Sequence, residues 1–233
     1  IIPFLISVNK TYATDLPKPL TIDDFHKVDM EKVKIGRLLF HDKILSANRN
    51  IACATCHSHE LGGSDGLSLG IGEGGIGIGL NRTAGVGSDR IKKRVPRNAL
   101  ALWNLGFKDI TTLLHDGRVT KSNIFGNNFN TPAQEALPKG LDNIVAVQAL
   151  FPMTRQFEMA GNPGENEIIG LVSKVGKDSM RIDAVWPVIS NRIRAIPEYV
   201  QLFKNAFDDV DSALDINITH IVNSIAAFEI HEW

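Results

Sequence analysis

The residues best placed to do chemistry are Cys53-Ala54-Thr55-Cys56-His57. Two thiols three positions apart can add to the two vinyl groups of a haem, while the adjacent imidazole ligates the iron. Three other chemistries use the same residue types. A thioredoxin-like redox pair needs a βαβ setting, which the surrounding sequence does not offer. Zinc could draw on Cys53, Cys56, His57 and His59, but paired zinc histidines usually lie about three to five residues apart. A disulfide would close a small strained ring and leave His57 without a purpose. Covalent haem uses all three side chains, and its assembly requires an exported compartment.

The remaining composition narrows the setting. These are the only two cysteines in 233 residues, so there is no disulfide framework, and the length suffices for one or two domains with a real core. With 25 Lys+Arg against 26 Asp+Glu, the chain is not a broadly basic nucleic-acid binder. No apolar run approaches the roughly 20 residues of a membrane span. Residues 1–15 begin apolar and reach Ala13, a small residue suited to a cleavage point, so they read as the remnant of a secretory signal or an N-terminal arm.

The elements that must position the haem read as an all-α, cytochrome c-like domain with long loops. Apolar periodicity predicts helices over 30–40, 98–105, 143–151, 165–175, 187–196, 197–207 and 216–233, and no strand alternation stands out. Pro187 and Pro197 each suit a first helical position. Eleven of the 20 glycines fall between Gly62 and Gly87, which predicts a flexible loop. Gly72-Glu73-Gly74-Gly75-Ile76-Gly77 matches G-x-G-x-x-G, but no strand precedes it and no helix opens after it, so it is not a dinucleotide fingerprint. Trp103, among Leu100, Leu102 and Leu105, reads as core.

An ordered set of short motifs resembles a known family. Gly36-Arg37-Leu38-Leu39-Phe40-His41-Asp42, Leu45-Ser46 and Ile51-Ala52-Cys53 resemble the approach to the first haem of bacterial di-haem cytochrome c peroxidases and MauG-type proteins. Gly62-Gly63-Ser64-Asp65-Gly66, Pro96-Arg97-Asn98, Asn104, Asp116-Gly117-Arg118, Gln148 and Phe157-Glu158-Met159 follow in family order.

This resemblance implies a peroxide-reacting haem c held by Cys53, Cys56 and the proximal ligand His57. It makes Glu158 the distal acid–base, with Gln148 orienting the distal pocket, and suits Arg97 and Arg118 to haem propionates or a domain interface. Asn98 matches a family residue at a calcium site. A second haem, with its own Cys-x-x-Cys-His, is expected beyond Trp233. Residues 16–215 would form the peroxidatic domain and 216–233 the start of the second. The implied reaction reduces hydrogen peroxide in the periplasm, with electrons from a small cytochrome c or a cupredoxin. A homodimer is open as the assembly state.

Two positions depart from the family. Ile71 stands where many di-haem peroxidases carry a distal histidine, so the distal side of the iron is expected to be open. His115 stands where the family often has tryptophan between its haems, and a structural role is the preferred reading. Two alternatives to the peroxidase are a MauG-like oxidation of a protein or organic substrate and a plain electron-transfer cytochrome c with Met153 or Met159 on the iron.

Overall fold

The computed structural model describes residues 17–87, 90–173 and 182–233. The expected N-terminal remnant, 1–15, and the end of the helix expected over 165–175 lie outside the described residues. The α-helices described are α1 (Met30–His41), α2 (Cys53–Cys56), α3 (Ile144–Ala149), α4 (Glu167–Ser173), α5 (Val185–Arg194), α6 (Pro197–Ala206) and α7 (Ile218–Glu232).

Local chemistry starts the helices that frame the site. Asp29 accepts hydrogen bonds from the Glu31 and Lys32 amides at the head of α1. Asn143 does the same for Val145 and Ala146 at α3, and Asn217 for Thr219 and His220 at α7. Pro197 opens α6 as expected. Pro187 instead falls third in α5, still in the first turn, where an amide has no intrahelical partner to lose.

The core is organised around α7, whose residues from Ile218 to Glu229 are all buried. Its main neighbour is α1, which turns Val33, Ile35, Gly36, Leu39 and Phe40 inward. Gly36 permits the close approach: a Cβ there would lie 1.9 Å from the carbonyl oxygen of Ser224. The segment that the resemblance places at the start of a second domain is therefore built into this core through Ile221, Val222, Ile225 and Phe228.

Two expectations about secondary structure need correction. The fold is mostly helical but not all-α, because β1 (Thr112–Leu113), β2 (Val119–Lys121) and β3 (Phe129–Asn130) form an antiparallel sheet in that order. Thr112 faces Thr120, which faces Asn130 on the other side. Strands of two or three residues are too short to display alternation in sequence. The second correction is at 98–105, which forms no helix. Arg97 and Asn104 have φ of 90° and 58°, outside the helical region, and Ser64 Oγ donates to the Asn98 side chain and the Ala99 carbonyl. Leu102 and Leu105 are buried, but Trp103 is half exposed rather than core.

Candidate active site

Helix α2 is a single turn that presents Cys53, Cys56 and His57 to one cavity. Thr55 Oγ1 accepts from the Ala52 amide, and the His57 amide donates back to the Cys53 carbonyl. Both thiols are free. Burial pushes Cys53 up to about 12 and Cys56 to about 11, so both remain protonated near neutrality. Thiols held in that state lack the thiolates that rapid disulfide exchange would use.

His57 is oriented by its backbone neighbour. Its Nδ1 lies 2.8 Å from the Gly63 carbonyl oxygen, an acceptor, so Nδ1 carries the proton and Nε2 keeps the lone pair. Burial lowers the affinity of the ring for a second proton. A neutral imidazole whose tautomer is fixed by a carbonyl is the state that ligates a metal. Phe40 packs beside it, with ring centroids 6.4 Å apart.

Glu158 and Gln148 line the same cavity. Gln148 comes from the last turn of α3, and Glu158 from a π-helical turn, Gln156–Ala160. The amides of Glu158, Met159 and Ala160 all converge on the Arg155 carbonyl. Such a turn offers one wider step that redirects a side chain, and the polar sequence around it does not announce it. The Glu158 carboxyl has no hydrogen bond to any described residue. Burial raises its proton affinity, partly opposed by the charges of Arg155 and Arg118. Met153 and Met159 are buried and also line the cavity.

The rim gathers the remaining expected residues. Arg97, Asn98, His115 and Arg118 all line the cavity, from exposed positions. Arg118 Nε lies 2.9 Å from both Asp116 carboxylate oxygens across the β1–β2 turn. That hydrogen bonding holds Asp116 down at about 2. His115, read as structural, instead stands exposed at this rim. Asn98 already accepts a 2.8 Å bond from Ser64 Oγ, and no group of three or more His, Cys, Asp or Glu that could hold a metal ion occurs among the described residues. Ile71 is buried and is not part of the lining. Its flanking glycines, Gly70 and Gly72, form that part of the wall.

Two buried acids escaped the sequence reading. Asp65 and Glu229 line the cavity, and Asp65 Oδ2 and Glu229 Oε2 have no partner among the described residues. Burial pushes Glu229 up to about 8. The sequence did hold a signal for it: Glu229 continues the Ile221–Ile225 spacing of four, so an acid occupies a core position of α7. Three further histidines have partners: His41 with the Arg37 carbonyl, His59 with Glu232 and the Trp103 and Trp233 rings, and His220 with Asp209.

The residues present fit a covalently held haem. Paired protonated thiols and a tautomer-fixed imidazole stand on one wall, apolar Leu45, Ile51, Leu102 and Ile225 fill the interior, and arginines sit at the open edge. Comparison with known proteins agrees. The sequence model of the di-haem cytochrome c peroxidase family matches residues 30–231. A methylamine utilization protein MauG of Methylorubrum extorquens is 27% identical over 85% of this chain and 37% of its own length. The cytochrome c peroxidase Ccp of Escherichia coli is 49% identical over 47 residues, covering 20% of this chain and 10% of its own. A solved MauG-like protein associated with microbial copper homeostasis covers 96% of this chain and 46% of its own, at 22% identity and a TM-score of 0.49. The chain thus spans less than half the length of these relatives. With 202 consecutive positions matched and the cavity built as that chemistry requires, the chain belongs to the di-haem cytochrome c peroxidase family.

Proposed function

We propose that this chain forms the peroxide-reacting part of a periplasmic haem oxidoreductase, which reduces hydrogen peroxide to water with electrons from a small cytochrome c or cupredoxin. The observation that carries the reading is the placement of Glu158 on the same cavity as His57, its carboxyl unpaired and its proton affinity raised by burial. Cys53 and Cys56 would anchor the haem and His57 would ligate it, with Arg97 and Arg118 near its propionates. When bound, the haem supplies an iron centre and electrons for cleavage of the O–O bond.

The protein supplies the proton transfers. Glu158 in its ionised form would take the proton from one peroxide oxygen and return it to the other, departing oxygen, which leaves as water. Gln148 offers an amide that can donate to or accept from the bound peroxide and hold its orientation. The Glu158 carboxylate must be free at the start, so the reaction should speed up as pH rises through its raised pKa. Stopped-flow mixing of the holo-protein with peroxide tests this. Glu158→Gln should slow the reaction by about 10²–10⁴-fold and flatten the pH dependence. Equal rates would refute the role of Glu158.

A second reading has its own support. A relative that matches 85% of this chain is a MauG. The same cavity would then serve oxidation of a protein or organic substrate after the same proton transfers. Turnover with peroxide and an electron-donor protein, against peroxide-dependent modification of a substrate, separates the two.

A further inference from the structure

We propose that Arg82 is a positioning residue for Glu158: its guanidinium locks the glycine-rich loop into one shape, and that loop holds the backbone of the π-helical turn that carries the carboxyl. The proposal rests on the peroxide reading of Glu158.

Arg82 is buried, at 6% exposure, and among the described residues its guanidinium bonds to backbone alone. Its Nε donates to the Ile71 carbonyl at 2.5 Å, Nη2 to Gly72 at 2.6 Å and Nη1 to Gly77 at 2.6 Å. Burying a guanidinium without a hydrogen-bonded carboxylate is costly, so these three carbonyls must offset its lost hydration. The loop they tie has Gly74, Gly77 and Gly79 at φ of 82°, 89° and 55°, a backbone with many conformers when unrestrained. A pair of bonds between Ile76 and Thr83 closes the same loop.

The locked loop meets the π-helical turn at two consecutive residues. A Cβ on Gly72 would fall 1.9 Å from the Phe157 carbonyl oxygen. The Glu73 amide donates to the Glu158 carbonyl at 2.9 Å. The Glu73 side chain is itself fixed, because Oε1 accepts from Asn48 at 2.8 Å and Asn50 at 2.6 Å. On its other side the turn is held by the Ala47 amide, which donates to the Met159 carbonyl at 2.8 Å. The charges that act on Glu158 are those of Arg155 and Arg118. The influence of Arg82 therefore travels through backbone contacts rather than through its field.

The test uses the full-length holo-protein, with Arg82→Met and Gly72→Ala each made in wild-type and Glu158→Gln backgrounds. Gly72→Ala pushes the loop off Phe157 and leaves the guanidinium in place, so it decides the question if Arg82→Met does not fold. Each variant should lower the second-order rate constant for peroxide about tenfold in the wild-type background and not at all beside Glu158→Gln. Amide exchange should rise in both segments, 70–77 and 156–160. An equal fractional loss in both backgrounds, or unchanged exchange at 156–160, would overturn the proposal. If Glu158→Gln matches wild type, the peroxide reading fails, and amide exchange still reports whether Arg82 holds the turn.

Discussion

The two walls of the cavity are built by different physics. The attachment wall is α2 backed by α1 and α7, where Phe40 packs against His57, Phe228 and Trp233, and close helix approach at Gly36 sets the geometry. The other wall is loop, π-helical turn and short sheet, held by side-chain-to-backbone bonds from Arg82 and Ser64 and by the bond from the Glu73 amide to the Glu158 carbonyl. One wall draws on burial of apolar surface, at about 1.5–3 kcal/mol per large side chain, and the other on satisfied polar groups. The difference suits the tasks. A haem anchor needs only a fixed position, whereas proton transfer needs a polar group held bare at a chosen point.

Substitutions can break or sharpen that contrast. The largest stability loss is expected from Gly36→Ala, whose new methyl cannot fit against Ser224. It should cost about 3 kcal/mol in chemical denaturation, because helix backbone has to move. Next comes Glu229→Gln. The wild-type carboxyl stays protonated in the fold up to about 8 but ionises in the unfolded chain above the ordinary value of 4.5. Wild-type stability should therefore fall between those two pH values, while the glutamine variant lacks this slope and gains steadily on the wild type as pH rises toward 8. Denaturation curves across pH 5–9 check both sign and window. The smallest effect should be that of Trp103→Ala, within about 0.5 kcal/mol, because the ring is half exposed. A loss above 1 kcal/mol would show that its contacts with His59 support the attachment wall.

The attachment wall was also the more legible one. Periodicity located α1 and α7, proline marked the start of α6, and the Cys-x-x-Cys-His spacing pointed to a haem anchor. Local rules decide those features. The other wall depends on long-range bonds that no short window contains. Leu100, Leu102 and Leu105 suggested a helix, yet the segment is irregular and ends in a turn, with Arg97 and Asn104 at positive φ. The glycine loop read as slack because the residue that tightens it, Arg82, shows its role only through carbonyls five to eleven positions away. Glu158 was singled out by family likeness alone, and composition carries no sign of its π-helical turn.

The central claim is that Cys53, Cys56 and His57 hold a haem in this cavity. The most direct measurement is peptide mass spectrometry, with an alkaline pyridine spectrum, on protein matured in cells that assemble cytochromes c. One haem on the peptide containing residues 53–57, bound through two thioethers and released from the chain in a Cys53→Ala, Cys56→Ala double variant, is the predicted result. Two unmodified thiols in the correctly folded, matured protein would contradict it.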